Sequence, residues 1–135
     1  MELQVETALK EMLDISADID KALLFSGDQV LAGNFPPESA EEIMAKARQL
    51  VELGDTRARE MGSAALSQLV VQTKEGSVFV VRESEPEELI IVATGRRESR
   101  VGLALYDLKT CLRDVREALE AERPAVAEST EGGEG

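Results

Sequence analysis

The feature that most constrains the fold is the stretch of residues 66–81, which reads LSQLVVQTKEGSVFVV. β-Branched and aromatic side chains fill both of its halves, as is typical of strands that pack against another layer. Between the halves lies KEGS, in which Gly76 can adopt the backbone angles that tight turns need. The pattern predicts a β-hairpin, which the rest of the chain must cover or leave partly free for a second chain.

Composition narrows the list of partners. The chain has 135 residues, which suits one domain, and 43% of them are hydrophobic, so one substantial core can form. The formal net charge is −12, so polyanions would be repelled by most of the surface. We therefore expect neither nucleic acid nor a membrane surface as a partner.

The usual catalytic side chains are missing. The sequence contains no histidine, which removes the common general base and the common metal ligand. Phosphate-binding glycine motifs are also absent. Asp18 and Asp20 suggest a calcium loop, but its sixth position requires glycine and is Leu23 here. We expect a protein that is not an enzyme and has no metal site and no cofactor.

Two smaller features leave alternatives open. Arg96, Arg97 and Arg100 either hold a phosphate or form an ordinary solvated loop, and the second reading is favoured. Cys111 lies on an apolar helical stripe, so we expect a buried and inert thiol. A single cysteine, no evident signal peptide and no apolar run long enough for a membrane span favour the cytoplasm.

The order of elements predicts a mixed α/β (α+β) fold with antiparallel, hairpin-type pairing. Helices are expected at residues 1–15, 38–62 and 101–122, and strands at residues 19–26, 30–32, 66–73, 78–81 and 89–94. Ser39 is the expected N-cap of the long helix, with Glu42 as its capping-box partner. Residues 1–122 would form the domain, and residues 123–135 a disordered acidic tail.

The long helix has two contrasting faces. A stripe predicted to be buried contains Ile43, Ala47, Leu50, Gly54, Ala58, Met61 and Ala65. Gly54 lies on that stripe, so a close approach to the sheet is expected there, with a helix break as the alternative. The opposite face carries Ala45, Arg48, Gln49, Glu52, Thr56 and Arg59.

The first strand of the hairpin reads LSQLVVQT and carries no charge and no proline. If residues 89–94 form the central strand, this strand lies at one side of the sheet with an unprotected edge. Such an edge predicts pairing with a second copy. The alternative is a loop or tail that covers it. The predicted interface residues are Leu66, Leu69, Val70, Val71, Gln72 and Thr73.

The runs ALLFSGDQVLAGNFP, LSQLVVQTKEGSVFVV, LIIVAT and VGLALYDLKTCLRDV, with a long helix after the first, resemble the roadblock family of dynein light chains and bacterial MglB-like proteins. The resemblance covers about residues 2–119. It implies a five-stranded antiparallel sheet, with the long helix on one face and the terminal helices on the other. It also implies dimers that pair the third strand and the long helix.

The same resemblance implies a function. Members bind small Ras-like GTPases as regulators or scaffolds, and the MglB-like branch stimulates GTP hydrolysis. In that branch the GTPase lies on the paired long helices. By position, the binding residues would be Ala45, Arg48, Gln49, Glu52, Thr56 and Arg59. The alternative for these side chains is plain solvated surface, and the alternative function is a small-molecule-binding or sensory module without a GTPase partner.

Overall fold

The computed structural model describes residues 2–134, and the side chains of residues 4–121. The chain forms a five-stranded antiparallel sheet with helices on both faces. Its elements are α1 (Glu2–Ile15), β1 (Ile19–Ser26), β2 (Gln29–Gly33), α2 (Ala40–Glu60), β3 (Gln68–Thr73), β4 (Gly76–Glu83), β5 (Leu89–Gly95) and α3 (Val101–Glu134). The predicted order of helices and strands is confirmed.

The strands lie in the order β2-β1-β5-β4-β3, and every neighbouring pair is antiparallel. Strand β5 is central, as its uncharged sequence predicts. Strands β3 and β2 form the two edges, also as predicted. At Gly76, the first residue of β4, an added Cβ would lie 2.7 Å from the carbonyl oxygen of Gly95, so this close approach requires glycine.

Strand β5 contributes to two separate cores. Leu89, Ile91 and Ala93 pack on the face that α1 and α3 cover. Ile90 and Val92 pack on the face that α2 covers. Because successive side chains of a strand point to opposite faces, one apolar run supplies both layers. The helix placement implied by the resemblance is therefore confirmed.

Helices α1 and α3 form one layer. Their buried residues are Val5, Leu9 and Met12 of α1 and Ala104, Leu105, Leu108, Cys111, Leu112 and Val115 of α3. In the described part of the chain, no helix combines the length and apolarity that crossing a bilayer requires.

Gly54 allows helix α2 to approach the segment before β3. Helix α2 is continuous through this residue, so the alternative of a break is wrong. A Cβ built on Gly54 would lie 3.2 Å from Cδ1 of Leu66. Gly54 therefore does mark a close approach, but to the Leu66 side chain just before β3 and not to the sheet itself.

Two predictions about the ends of α2 are wrong. Ser39 makes no side-chain capping bond, because residues Pro37–Ser39 form a 3₁₀ turn and Ser39 already has helical angles (φ −97°, ψ −7°). An N-cap side chain needs an extended backbone to reach the next turn. At the other end the helix stops at Glu60. Met61 and Ala65 are therefore exposed and do not extend the buried stripe.

The bounds of α3 reach past the predicted end near Glu122. The side chains from residue 122 onward lie outside the described residues. The predicted acidic tail of residues 123–135, and the domain boundary before it, therefore stay predictions.

The packing of Leu66 against Gly54 predicts a thermodynamic coupling. Gly54→Leu should lower the free energy of unfolding by about 1–3 kcal/mol, because a side chain must enter occupied space. Combined with Leu66→Ala it should cost less than the sum of the two single changes by about 1 kcal/mol or more. Urea unfolding of the single and double variants measures this.

Gly102→Leu is the matched control, since nothing lies within 4 Å of a Cβ there. It should be neutral or stabilising, by up to about 1 kcal/mol. Strictly additive losses at positions 54 and 66 would contradict the packing described.

Candidate functional site

Strand β3 has a partner strand on one side only. It pairs with β4, and within the described residues no other strand pairs with its outer side. Val71, Gln72 and Thr73 are exposed, whereas Leu69 and Val70 are half-buried. The structure therefore places five of the predicted interface residues on one bare edge.

The sixth, Leu66, lies before β3 begins. Its side chain contacts Gly54 of α2, and its backbone N–H donates to Oδ1 of Asp55 at 2.7 Å. Leu66 therefore joins the helix to the start of the strand, and its backbone is occupied within the chain.

The hydrogen-bond pattern of β3 shows which backbone groups face outward. The N–H of Arg82 donates to the carbonyl of Ser67 at 2.9 Å. In an antiparallel ladder, bonded and non-bonded pairs alternate along the strand. With the register of β3 on β4, the N–H and C=O groups of Gln68, Val70 and Gln72 therefore point away from β4, toward the free edge.

The outer face of α2 contains four of the predicted partner-binding residues. Ala45, Gln49, Glu52 and Thr56 are exposed and repeat at helical spacing. Leu53 belongs to the same face with 56% of its surface exposed, and the sequence reasoning missed it. The sequence signal that identifies Leu53 is its position outside the buried stripe of an amphipathic helix, where a leucine is expected to be exposed.

The other two predicted residues are held within the chain. Arg48 donates to Oε1 of Glu88 at 3.4 Å and to the carbonyl of Gly27. Its guanidinium also lies 5.3 Å from the ring centroid of Phe25. Arg59 donates to Oδ2 of Asp55 at 3.0 Å. Arg48 is therefore half-buried against the sheet, because long-range polar partners draw it from the outer face.

Asp55 connects three segments of the chain. Its carboxylate accepts from the backbone of Leu66, from Arg59 and, at 3.4 Å, from Arg82 of β4. Arg82 in turn donates to Glu88 at 3.1 Å. The Leu66 N–H first, and then the Arg59 guanidinium, lower the pKa of the Asp55 carboxyl. These ties hold α2 against β4 and against the start of the bare strand.

Asp18 is also structural. Its Oδ1 accepts from the backbone N–H of Arg100 at 2.8 Å, just before α3 begins. The Arg100 guanidinium donates to the same carboxylate at 3.2 and 3.3 Å. The backbone N–H first, and then the guanidinium, lower the pKa of Asp18 against the opposing effect of burial. Among the described residues, no group of three or more cysteine, aspartate or glutamate side chains is placed to hold a metal ion.

The loop of residues 96–100, which lies between β5 and α3, carries the three arginines and contacts the entrance of strand β1. Arg96 donates to the carbonyls of Ala17 and Ile19 at 2.9 and 3.3 Å, and Arg100 binds Asp18. Only Arg97 of this trio is exposed without such a bond among the described residues. All three arginines are exposed, as the favoured interpretation of a solvated loop predicts, and Arg96 and Arg100 additionally bind the entrance of strand β1.

The predicted burial of Cys111 is confirmed, since only 2% of its surface is exposed. Burial, and to a lesser degree the charge of Asp114, raises the pKa of the thiol to about 12. A thiol with such a pKa stays protonated near neutral pH and is a poor nucleophile.

Comparison with known proteins identifies the domain type. A family model described as the Roadblock/LC7 domain matches residues 5–94. Comparison with curated protein sequences returns no match.

Three solved structures share the fold. A Roadblock/LC7 domain from Streptomyces avermitilis has 20% identity and a TM-score of 0.74, covering 85% of this chain and 97% of that one. Myxococcus xanthus MglB has 9% identity and a TM-score of 0.75, covering 89% and 90%. MglB in a tetrameric arrangement has 19% identity and a TM-score of 0.70, covering 87% and 91%.

The Asp18–Arg100 contact predicts a pH-dependent stability difference. Asp18→Asn should cost about 1–2 kcal/mol near neutral pH, because charge-assisted hydrogen bonds are lost. The native pKa of Asp18 is lowered, so its contribution is complete above about pH 4 and disappears as pH falls through the native value. The difference between wild type and variant should therefore shrink in acid.

Urea unfolding between neutral and acidic pH measures this difference. Asp20→Asn is the control, since Asp20 lies two residues after Asp18 and is exposed. This change should have little effect on the free energy of unfolding. A pH-independent difference for Asp18→Asn would contradict the assigned role.

Proposed function

The chain belongs to the Roadblock/LC7 family, and from this premise we propose that it is a non-enzymatic homodimer that binds and regulates a small Ras-like GTPase. The single observation that carries the proposal is the bare edge of β3 beside an exposed α2 face. Activator and scaffold are the two forms that such regulation takes. The cytoplasm is the compartment that we propose for it.

The homodimer rests on backbone chemistry at the β3 edge. The groups of Gln68, Val70 and Gln72 that point outward can pair with the same groups of a second copy about a two-fold axis. Val71 and Leu53 add exposed apolar surface on the α2 side. Pairing would cover both, joining two sheets into one and bringing two α2 helices side by side.

The GTPase would lie on the paired outer faces of α2. Ala45, Gln49, Glu52 and Thr56 supply small and uncharged contacts with one carboxylate per copy, which suits a protein surface. Arg48 is already held by Glu88 and Gly27, so it cannot reach a nucleotide without breaking these contacts. Regulation would therefore act by positioning the GTPase's own residues and not by inserting Arg48.

The dimer is tested by proline at an outward-facing position. Gln72→Pro removes an N–H that the chain itself does not use, so the monomer should stay folded. The dimer dissociation constant should rise about a hundredfold or more, since both symmetric hydrogen bonds are lost. Sedimentation equilibrium over a dilution series measures it.

Two neighbouring variants sharpen that test. Gln72→Ala keeps the N–H and should leave the dimer intact. Val71→Pro removes an N–H that faces β4, so it should lower the stability of the fold itself. A wild-type chain that is monomeric at every concentration, or a Gln72→Pro chain that still dimerises, would refute pairing through this edge.

GTPase binding is tested with purified small Ras-like GTPases whose genes lie near the gene for this chain. Each GTPase is loaded with GDP or with a GTP analogue. Gln49→Arg should weaken binding by about tenfold or more, because a large charge enters the centre of the interface. Gln29→Arg is the matched control, since Gln29 is exposed on strand β2. Calorimetry measures affinity, and phosphate release measures any change in hydrolysis.

Binding that is equally weakened by both changes would count against the α2 face. No complex with any such GTPase, together with thermal stabilisation by a metabolite, would instead favour the small-molecule-binding alternative.

A further inference from the structure

A second surface lies on the face of the sheet opposite to α2. Helices α1 and α3 run antiparallel and leave a groove between them. Its α1 wall includes Thr7, Ala8, Glu11 and Ile15. With Gln4 at its far end, the groove spans three turns of α1, roughly 16 Å at the rise of an α-helix.

The floor of the groove is apolar. Ala8 and Met12 of α1 and Cys111 of α3 line its deeper part. Ile15 ends the α1 wall with 81% of its surface exposed. Leu103, 45% exposed, lies one helical turn before Asp107 on the α3 side of the same end. Exposed isoleucine and leucine side chains at the open end of an apolar groove are typical of an interaction site.

The rim carries charge of one sign. The charged residues that line the groove are Glu11, Asp107, Asp114 and Glu117. Within the described residues, no lysine or arginine lines it. Arg113 reaches Asp114 from outside at 3.4 Å, but both side chains are largely exposed, so that pair neutralises little.

We propose that this groove binds a basic amphipathic helix of another protein, with apolar side chains against Met12 and Ile15 and lysine or arginine side chains on the acidic rim. The groove length accommodates about three helical turns of such a partner. Apolar contacts supply affinity, and the complementary charge supplies orientation and a fast association rate.

A second copy of this chain is a poor occupant. Each copy carries a net charge of −12, and its own groove is acidic, so two such faces repel each other. The groove also lies on the opposite side of the sheet from α2. A basic helix would therefore bind without competing with a protein on α2, and one molecule would connect two partners.

The test uses a synthetic helix of leucine and lysine, about 14 residues long, labelled with a fluorophore and titrated against the whole chain. Two peptides of the same length are the references: one has glutamate in place of lysine, and one has serine in place of leucine. Fluorescence anisotropy gives affinity, and hydrogen–deuterium exchange locates the contact. Only the leucine–lysine peptide should bind and protect α1 and α3.

Matched pairs of variants distinguish binding in the groove from general electrostatic attraction between the peptide and the acidic chain. Glu11→Gln with Asp107→Asn should weaken binding by about tenfold, whereas Glu41→Gln with Asp28→Asn removes the same charge from exposed positions elsewhere and should not. Ile15→Ser should weaken binding, whereas Met61→Ser, at a residue 85% exposed on the other side of the molecule, should not.

All four altered proteins change exposed or half-exposed side chains, and circular dichroism with thermal melting confirms that they stay folded. Equal losses from the two charge pairs, equal binding of the lysine–serine peptide, protection confined to α2, or no binding at low salt would each overturn the proposal. Loss of GTPase binding by Gln49→Arg would leave this result unchanged, so the two surfaces are tested independently.

Discussion

The structure depends on covering strand β5 from both sides. Its alternating side chains supply Leu89 and Ile91 to one core and Ile90 and Val92 to the other. A central strand that is apolar on both faces cannot be left half-covered without exposing a large apolar surface. One helix on one face and two on the other meet this demand. The chain's own helices thus cover both faces of the sheet. The sheet edges and the outer surfaces of the helices remain available for contact with other molecules.

Hydrogen bonds and ion pairs of two aspartates then fix the positions of the helices relative to that sheet. Asp55 joins α2 to Leu66 and Arg82, and Asp18 joins the entrance of β1 to the start of α3. Each carboxylate has its pKa lowered by the donors that it accepts from, so each is charged and bonded near neutral pH. The Asp55 contacts set the position of α2 relative to the β3 edge, whereas Glu88 and the Gly27 carbonyl hold Arg48 away from the outer face.

Local pattern was sufficient for most of the fold. The bounds of strand β1 (Ile19–Ser26) were predicted to the residue, because its apolar run and flanking turn residues are local signals. The missing Ser39 cap depends on a 3₁₀ turn that spacing does not reveal. Arg48 was assigned to an outer face, but its partner Glu88 lies 40 residues away, which helical periodicity cannot report. Leu53 is absent from the predicted site because helical periodicity identifies the buried stripe and does not mark an exposed leucine outside it.

The outward-facing groups of β3 belong to the main chain. Side-chain replacement at Gln68 or Gln72 leaves those N–H and C=O groups in place. The capacity of the β3 edge to form hydrogen bonds with another strand therefore persists through nearly any substitution. In the proposed homodimer, discrimination between an identical and a related partner would therefore depend on the few flanking side chains, such as Leu53 and Val71. In that proposed homodimer, changes at those two positions after a gene duplication would favour pairing between the two gene products over self-pairing.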